Sequence, residues 1–170
     1  MGEAGLRLIY GGGGAGLMGA VARGCAEAGG KVTGIIPRFL MSKERSENDL
    51  ADLDELVLTD DMHERKHAMF ERSDAFVALP GGIGTLEELI EVMTWAQLAR
   101  HDKPIVIADL GGFWGPLLTL LDHMRGEGFV HTASRVQPLV IESAEAVLPA
   151  LLSASPIRPR GGNGAVIDRL

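Results

Sequence analysis

A run of glycines near the start of this chain separates a short apolar segment from an amphipathic one. Leu6-Arg7-Leu8-Ile9-Tyr10 leads into Gly11-Gly12-Gly13-Gly14-Ala15-Gly16-Leu17-Met18-Gly19, and residues 17–28 then carry helical periodicity. Few architectures accept that junction. A strand feeding a helix through bare glycine backbone opens a parallel α/β unit, in which free N–H groups and the helix dipole converge on an anion. The pattern recurs along the chain. Strands are predicted over 6–10, 31–36, 53–58, 75–79, 105–108 and 139–141, and helices over 17–28, 62–73, 86–100, 114–125 and 144–152, with Ser143 as the cap of the last. The strand segments are apolar throughout instead of alternating, as a parallel sheet covered by helices on both faces requires. Residues 1–152 read as one α/β domain, 37–51 as a polar, irregular connection of the kind that forms binding loops, and 153–170 as a flexible tail.

Composition narrows the function classes. Glycine reaches 23 of 170 residues, close to twice the usual ~7%, and the excess lies in two clusters rather than in a linker. No apolar run approaches the ~20 residues of a membrane helix, so no membrane partner is expected. A net charge of −7, from 16 basic and 23 acidic residues, argues against a broad contact with nucleic acid. The single cysteine, Cys25, leaves no internal disulfide and no cysteine zinc cluster, and the N-terminus lacks a signal-peptide layout. A cytoplasmic protein is expected.

The first glycine run satisfies G-x-G-x-x-G twice, through Gly11, Gly13 and Gly16 and through Gly14, Gly16 and Gly19. A dinucleotide site also wants an acidic residue at the end of the following strand, where this chain has Ile35-Ile36-Pro37-Arg38. The fingerprint is incomplete. Gly12, Gly13, Gly16 and Met18 stay as secondary phosphate or ribose contacts, beside the plainer reading of glycines that let a helix pack close to a strand. The second cluster, Pro80-Gly81-Gly82-Ile83-Gly84-Thr85-Leu86-Glu87-Glu88, is sharper. Its glycine and threonine N–H groups suit a phosphate, whereas carboxylates repel one unless they address another part of the ligand. A nucleoside monophosphate whose ribose turns oxocarbenium-like as the base departs satisfies both. Thr85-Leu86-Glu87-Glu88 is also T-x-x-E, a capping box that needs no ligand.

Met62-His63-Glu64-Arg65-Lys66-His67 contains HExxH, yet its inner positions are two cations, Arg65 and Lys66, and no third zinc ligand follows. Adjacent Arg and Lys near a helix start suit a phosphate or ribose clamp, or a solvated basic face. Glu88, Glu91 and Trp95 fall at i, i+3 and i+7 and share a helix face, with Thr94 on a neighbouring line. His101 and Asp102, ahead of Lys103-Pro104, read as surface turn residues, and His123 and His131 as structural.

The combination of YGGGxxGLMG (10–19), MHERK (62–66), PGGIGTLEE (80–88), TWAQL (94–98) and HDKP (101–104) resembles the LOG family from residue 6 to about residue 152. These are cytokinin riboside 5'-monophosphate phosphoribohydrolases, often mislabelled lysine decarboxylases. The resemblance implies a Rossmann-like three-layer α/β/α fold with a parallel sheet, a homodimer with sites near the subunit interface, and neither metal nor other cofactor. It further implies hydrolysis of the N-glycosidic bond of AMP or N6-prenylated AMP to free base and ribose 5-phosphate. It places Arg65 and Glu88 as the catalytic pair, and Lys66, Gly82, Ile83, Gly84, Thr85, Leu86, Glu87 and Thr94 as nucleotide contacts, with Glu44 as a substrate-contact glutamate. Family members carry a further strand and helix ahead of the YGGG strand. The expectation is therefore a sheet lacking that first strand and part of the first helix, with an unpaired edge beside it. A non-catalytic nucleotide- or cofactor-binding carrier is the rival reading; it shares the glycine loops but needs no Arg65–Glu88 pair. Lysine decarboxylation would demand a lysine set to form a Schiff base with pyridoxal phosphate, and no lysine here sits in such a motif.

Overall fold

The computed structural model describes residues 1–44, 53–130 and 137–154. After a 3-10 turn at Gly2–Ala4, the chain runs β1 (Arg7–Tyr10), α1 (Gly16–Glu27), β2 (Lys31–Pro37), α2 (Met41–Glu44), β3 (Glu55–Thr59) and α3 (Met62–Arg72). It continues through β4 (Phe76–Ala78), α4 (Ile83–Gln97), β5 (Ile105–Ala108), α5 (Gly115–Gly126), β6 (Leu139–Ile141) and α6 (Ala144–Ala154). Every strand pairing is parallel, so the loops that follow the strands gather along one edge. The fold is a Rossmann-like α/β arrangement, as the alternation of apolar and amphipathic segments requires.

The strands form two three-stranded sheets, β1-β2-β3 and β4-β5-β6. Each central strand is the most buried: Val32, Ile35 and Ile36 of β2, and Ile105 to Ala108 of β5, exclude solvent almost completely. Tyr10, Ala22, Cys25 and Val32 make a core under α1. A second core gathers Ala78, Leu89, Ala96, Ile105, Ile107 and Trp114 between α4, α5 and the second sheet. Burial pushes the Cys25 thiol above its ordinary pKa, so it behaves as a small apolar side chain. Among the described residues β1 pairs only with β2, and β4 only with β5. Ile9 of β1 and Phe76, Val77 and Ala78 of β4 border one cavity, so the expected unpaired edge beside β1 is found facing a second one.

The polar connection after β2 departs from the irregular expectation. Residues 38–40 form a 3-10 turn that passes directly into α2. Pro37, with φ −67° and ψ 144°, supplies the extended residue from which a helical turn can start, a one-residue signal with no apolar stripe behind it. Glu44 closes α2, but its side chain and residues 45–52 lie outside the described residues, as do His131 and the predicted tail beyond residue 154. Among the described residues, no helix is long and apolar enough to cross a membrane.

Candidate active site

Asp60 to Glu64 fix where α3 begins. Asp61 Oδ1, at the N-cap, accepts the Glu64 N–H at 2.8 Å, and Glu64 Oε2 accepts the N–H of Asp60, one residue ahead of the cap, at 2.7 Å, a variant of the capping box. This occupies the glutamate of the HExxH motif, and His63 and His67 face solvent. Among the described residues no group of three or more His, Cys, Asp or Glu could hold a metal ion.

The cap sets the next two residues on the site. Arg65 is only 8% exposed. Its Nε donates to the Ile35 carbonyl at 3.2 Å, its Nη2 to the Gly11 carbonyl at 3.5 Å, and its Nη1 to Glu88 Oε1 at 2.7 Å. One guanidinium thereby links the carboxyl ends of β1 and β2 to α4. The first glycine run makes room for it: a Cβ on Gly11 would stand 2.1 Å from Arg65 Nη2. Gly12 has φ +80° and would press a Cβ to 2.9 Å from that of Ile36. Gly12 and Gly13 are buried, so close packing is their visible role. Gly16 opens α1 on the exposed side, and Met18, 42% exposed, lies beside Gly11 at the rim of the site.

Lys66 points the same way and is clamped. Its Nζ donates to Glu87 Oε1 at 2.6 Å and to Glu91 Oε1 at 3.1 Å. These bonds, Glu87 first, raise the ammonium above its ordinary pKa against the opposing effect of desolvation. Glu88 is also shifted upward: burial favours its neutral form more than the Arg65 charge favours the carboxylate.

The start of α4 overturns the T-x-x-E cap. The helix opens at Ile83 with Gly82 as its N-cap and no side-chain cap, so Thr85 already lies inside the first turn and Glu88 turns to Arg65 instead. Helix periodicity predicted a start at residue 86; glycine, which leaves no apolar mark, extends it backward. The first N–H groups, from Ile83 to Thr85, have no helical partner and no capping side chain.

Thr85, Glu88, Glu91 and Trp95 line one cavity of about 150 Å³ with Lys66 and Phe70. The face shared by Glu88, Glu91 and Trp95 in the sequence is thus a wall of the site. Gly82, Ile83 and Gly84 are exposed at the helix opening, and Leu86 and Glu87 flank a shallow depression on its outer side. Thr94 is not brought in: it is exposed, and its hydroxyl donates to the Ile90 carbonyl of its own helix at 2.7 Å. His101 is a correction of another kind. Expected on the surface, it is half-buried, with Nε2 2.8 Å from the Val92 carbonyl, while Asp102 is exposed as expected. Sequence reasoning also missed Gly11 as the socket of Arg65 and Glu91 as a partner of Lys66; the spacing of Glu91 from Glu88 was the available signal.

These features define a class: a Rossmann-like α/β protein with an arginine–glutamate pair and an uncapped, glycine-opened helix at the carboxyl edge of its strands. The chain belongs to the LOG family, whose model, described as possible lysine decarboxylase, matches residues 18–151. It is 50% identical over 130 residues to cytokinin riboside 5'-monophosphate phosphoribohydrolase LOG5 of Arabidopsis thaliana, covering 76% of this chain and 56% of that protein. It is 47% identical over 131 residues to the probable phosphoribohydrolase LOGL1 of Oryza sativa subsp. japonica, covering 77% and 57%. Against cytokinin riboside 5'-monophosphate phosphoribohydrolase of Rhodococcoides fascians the identity is 42% over 149 residues, 87% of this chain and 74% of that one. The chain spans a little over half the length of the two plant relatives. Among solved structures, the molybdenum cofactor binding protein of Rippkaea orientalis shares the fold, with a TM-score of 0.60 at 21% identity over 88% of this chain and 77% of that one.

Proposed function

We propose that the protein hydrolyses the N-glycosidic bond of adenosine 5'-monophosphates, AMP or its N6-prenylated form, to free base and ribose 5-phosphate. One observation carries this reading: Glu88, which Arg65 holds at 2.7 Å from outside the cavity lining, shares a cavity with Lys66 and with Thr85 of the uncapped first turn of α4. The relatives named as cytokinin riboside 5'-monophosphate phosphoribohydrolases support it.

The N–H groups from Gly82 to Thr85 receive the 5'-phosphate, with Lys66 as the counter-charge, and Arg65 orients ribose and phosphate. Glu88 faces the anomeric carbon, stabilises positive charge as the bond to the base lengthens, and takes a proton from the attacking water. The water oxygen bonds to C1', the glycosidic electron pair leaves with the base, and the base takes up a proton. Water is the only co-reactant. Lysine decarboxylation would need a neutral amine, whereas Lys66, the lysine of this cavity, is held protonated by two carboxylates.

The assembly we propose is a cytoplasmic homodimer. Ile83, 82% exposed, Leu86 and Ile90, 38% exposed, run along one face of α4 beside the site, an apolar stripe that a second copy would cover. The deciding experiment is chromatographic: wild type and Glu88→Gln are incubated with AMP and with isopentenyladenosine 5'-monophosphate, and free base is quantified. Release by wild type alone is expected, and the rate ratio gives the substrate preference. Tight AMP binding without release by wild type would replace this reading with the carrier.

A further inference from the structure

We infer that the turn from His101 to Pro104 is a positioning clasp that holds α3, with Arg65 and Lys66, against α4, with Glu87, Glu88 and Glu91. The inference rests on the proposed activity for its consequence in turnover, and on geometry for the rest. The Lys103 backbone N–H donates to His101 Nδ1 at 3.1 Å, which assigns the ring proton to Nε2. Nε2 then donates to the Val92 carbonyl of α4 at 2.8 Å. From the same turn, Lys103 Nζ donates to the Phe70 carbonyl in the last turn of α3 at 2.7 Å and sits 4.0 Å from the Phe70 ring centroid. A cation on the final carbonyls of a helix also complements its dipole. Glu71 and Asp74 supply negative charge nearby, while burial draws the Lys103 ammonium below its ordinary pKa. The Pro104 carbonyl accepts the Phe76 N–H at 2.9 Å, pinning the turn to β4.

Phe70 is where the clasp meets the site. Its ring stands edge-on to Trp95 of α4 at 4.8 Å, stacks on Phe76 of β4 at 5.7 Å and meets His101 at 5.2 Å. Phe70, Phe76, Val92 and Trp95 line the cavity that contains Lys66, Glu88 and Glu91, and His101 and Lys103 stand one layer behind them. Lys66 and Phe70 are four residues apart on one face of α3. A slip that separated Phe70 from Lys103 would carry Lys66 away from Glu87 and Glu91, and Arg65 from Glu88.

Lys103→Met keeps the aliphatic stem on the Phe70 ring and removes the ammonium; Lys103→Arg keeps a donor. Base release from AMP is measured well below each variant's melting temperature, together with amide hydrogen exchange over 62–72. Expected are a ten- to hundredfold loss of kcat in Lys103→Met, on the scale of a displaced catalytic group, faster exchange reaching back to Arg65 and Lys66, and substantial recovery of both in Lys103→Arg. A Lys103→Met protein with a lower melting temperature but wild-type kcat and KM would overturn the clasp, leaving a structural contact. If wild type itself releases no base, the proposed activity falls, and the clasp is judged by exchange alone: unchanged protection at Arg65 and Lys66 in Lys103→Met overturns it.

Discussion

The β1-β2-β3 sheet and the β4-β5-β6 sheet share their parallel pairing and differ in what surrounds the central strand. Beside β2, polar side chains interlock from strand to strand. Arg7 donates to Thr33 at 2.9 Å, Thr33 to Glu55 at 3.2 Å, Arg72 to Glu55 at 2.8 Å, and Lys31 to Asp54 at 2.5 Å. Beside β5, aromatic rings do the work: Phe70, Phe76, Trp95 and His101 pack on one another, and Trp114 lies in the core cluster against which Phe76 packs. The site draws on both halves unequally. The first contributes carbonyl oxygens and the space left by Gly11; the second contributes the carboxylates of Glu87, Glu88 and Glu91. α3, which lies between them in the chain, contributes the cations. Since no backbone ladder joins β1 to β4 among the described residues, the geometry of the candidate site depends on side-chain contacts across the seam, the ion pairs of Arg65 and Lys66 among them.

Removing the central tie should have the largest effect. Arg65→Met leaves Glu88 without its partner, and we expect about 3 kcal/mol of lost stability in urea unfolding, together with at least about a hundredfold loss of base release. A variant of unchanged stability would show that the two halves hold without the tie. Gly11→Ala asks whether the first half does more than supply a carbonyl. Its Cβ falls 2.1 Å from Nη2, so it should displace the guanidinium and lower turnover by about a hundredfold, while overpacking costs stability of only about 1–3 kcal/mol.

Acidity separates stability from activity at Glu88. Because its folded pKa is raised, its contribution to stability is complete below the ordinary Glu value of about 4.3 and is lost as pH rises through the folded pKa. Wild-type stability relative to Glu88→Gln should therefore decline over that window, while turnover, if Glu88 acts as a carboxylate as proposed, should rise; parallel pH trends would contradict the assignment. Packing and polar interlock can then be compared directly. Phe70→Leu removes ring contacts of the second half and should cost about 1 kcal/mol or more in thermal unfolding. Arg72→Ala, at a partly exposed pair of the first half, should cost less than ~1 kcal/mol and lose even that at high salt. A reversal of that order would undo the contrast between the halves.

Much of this was legible in the residues. The strands β5 and β6 fall at their predicted limits and the other strands within two residues, because continuous apolar runs punctuated by Gly, Pro and Asp leave little freedom. The pairing of MHERK with PGGIGTLEE was readable through the resemblance, and the structure brings Arg65 to Glu88. What escaped shares a physical cause: it depends on contacts between segments. A capping motif does not say which of its residues will be drawn away by a distant arginine, so the T-x-x-E alternative at Thr85 does not form, while Glu64, inside the HExxH motif, does make a cap. His101 has no periodicity of its own, and only the meeting of α3 with α4 gives it a place. Gly11 could be read as permissive but not as the socket of a guanidinium 54 residues away.

The clamp on Lys66 bears on which anions the proposed phosphate site would accept. Its ammonium is already neutralised by Glu87 and Glu91, so an anion passing the mouth of the cavity meets little net attraction. Inorganic phosphate would have to part these charges and has only its own P–OH groups to offer the two carboxylates left behind. A sugar phosphate can do both, giving its phosphate to the cation and its hydroxyls to the carboxylates. For the proposed nucleotide site, this exchange of partners predicts a preference for ligands that carry ribose-type hydroxyls beside their charge over phosphate alone.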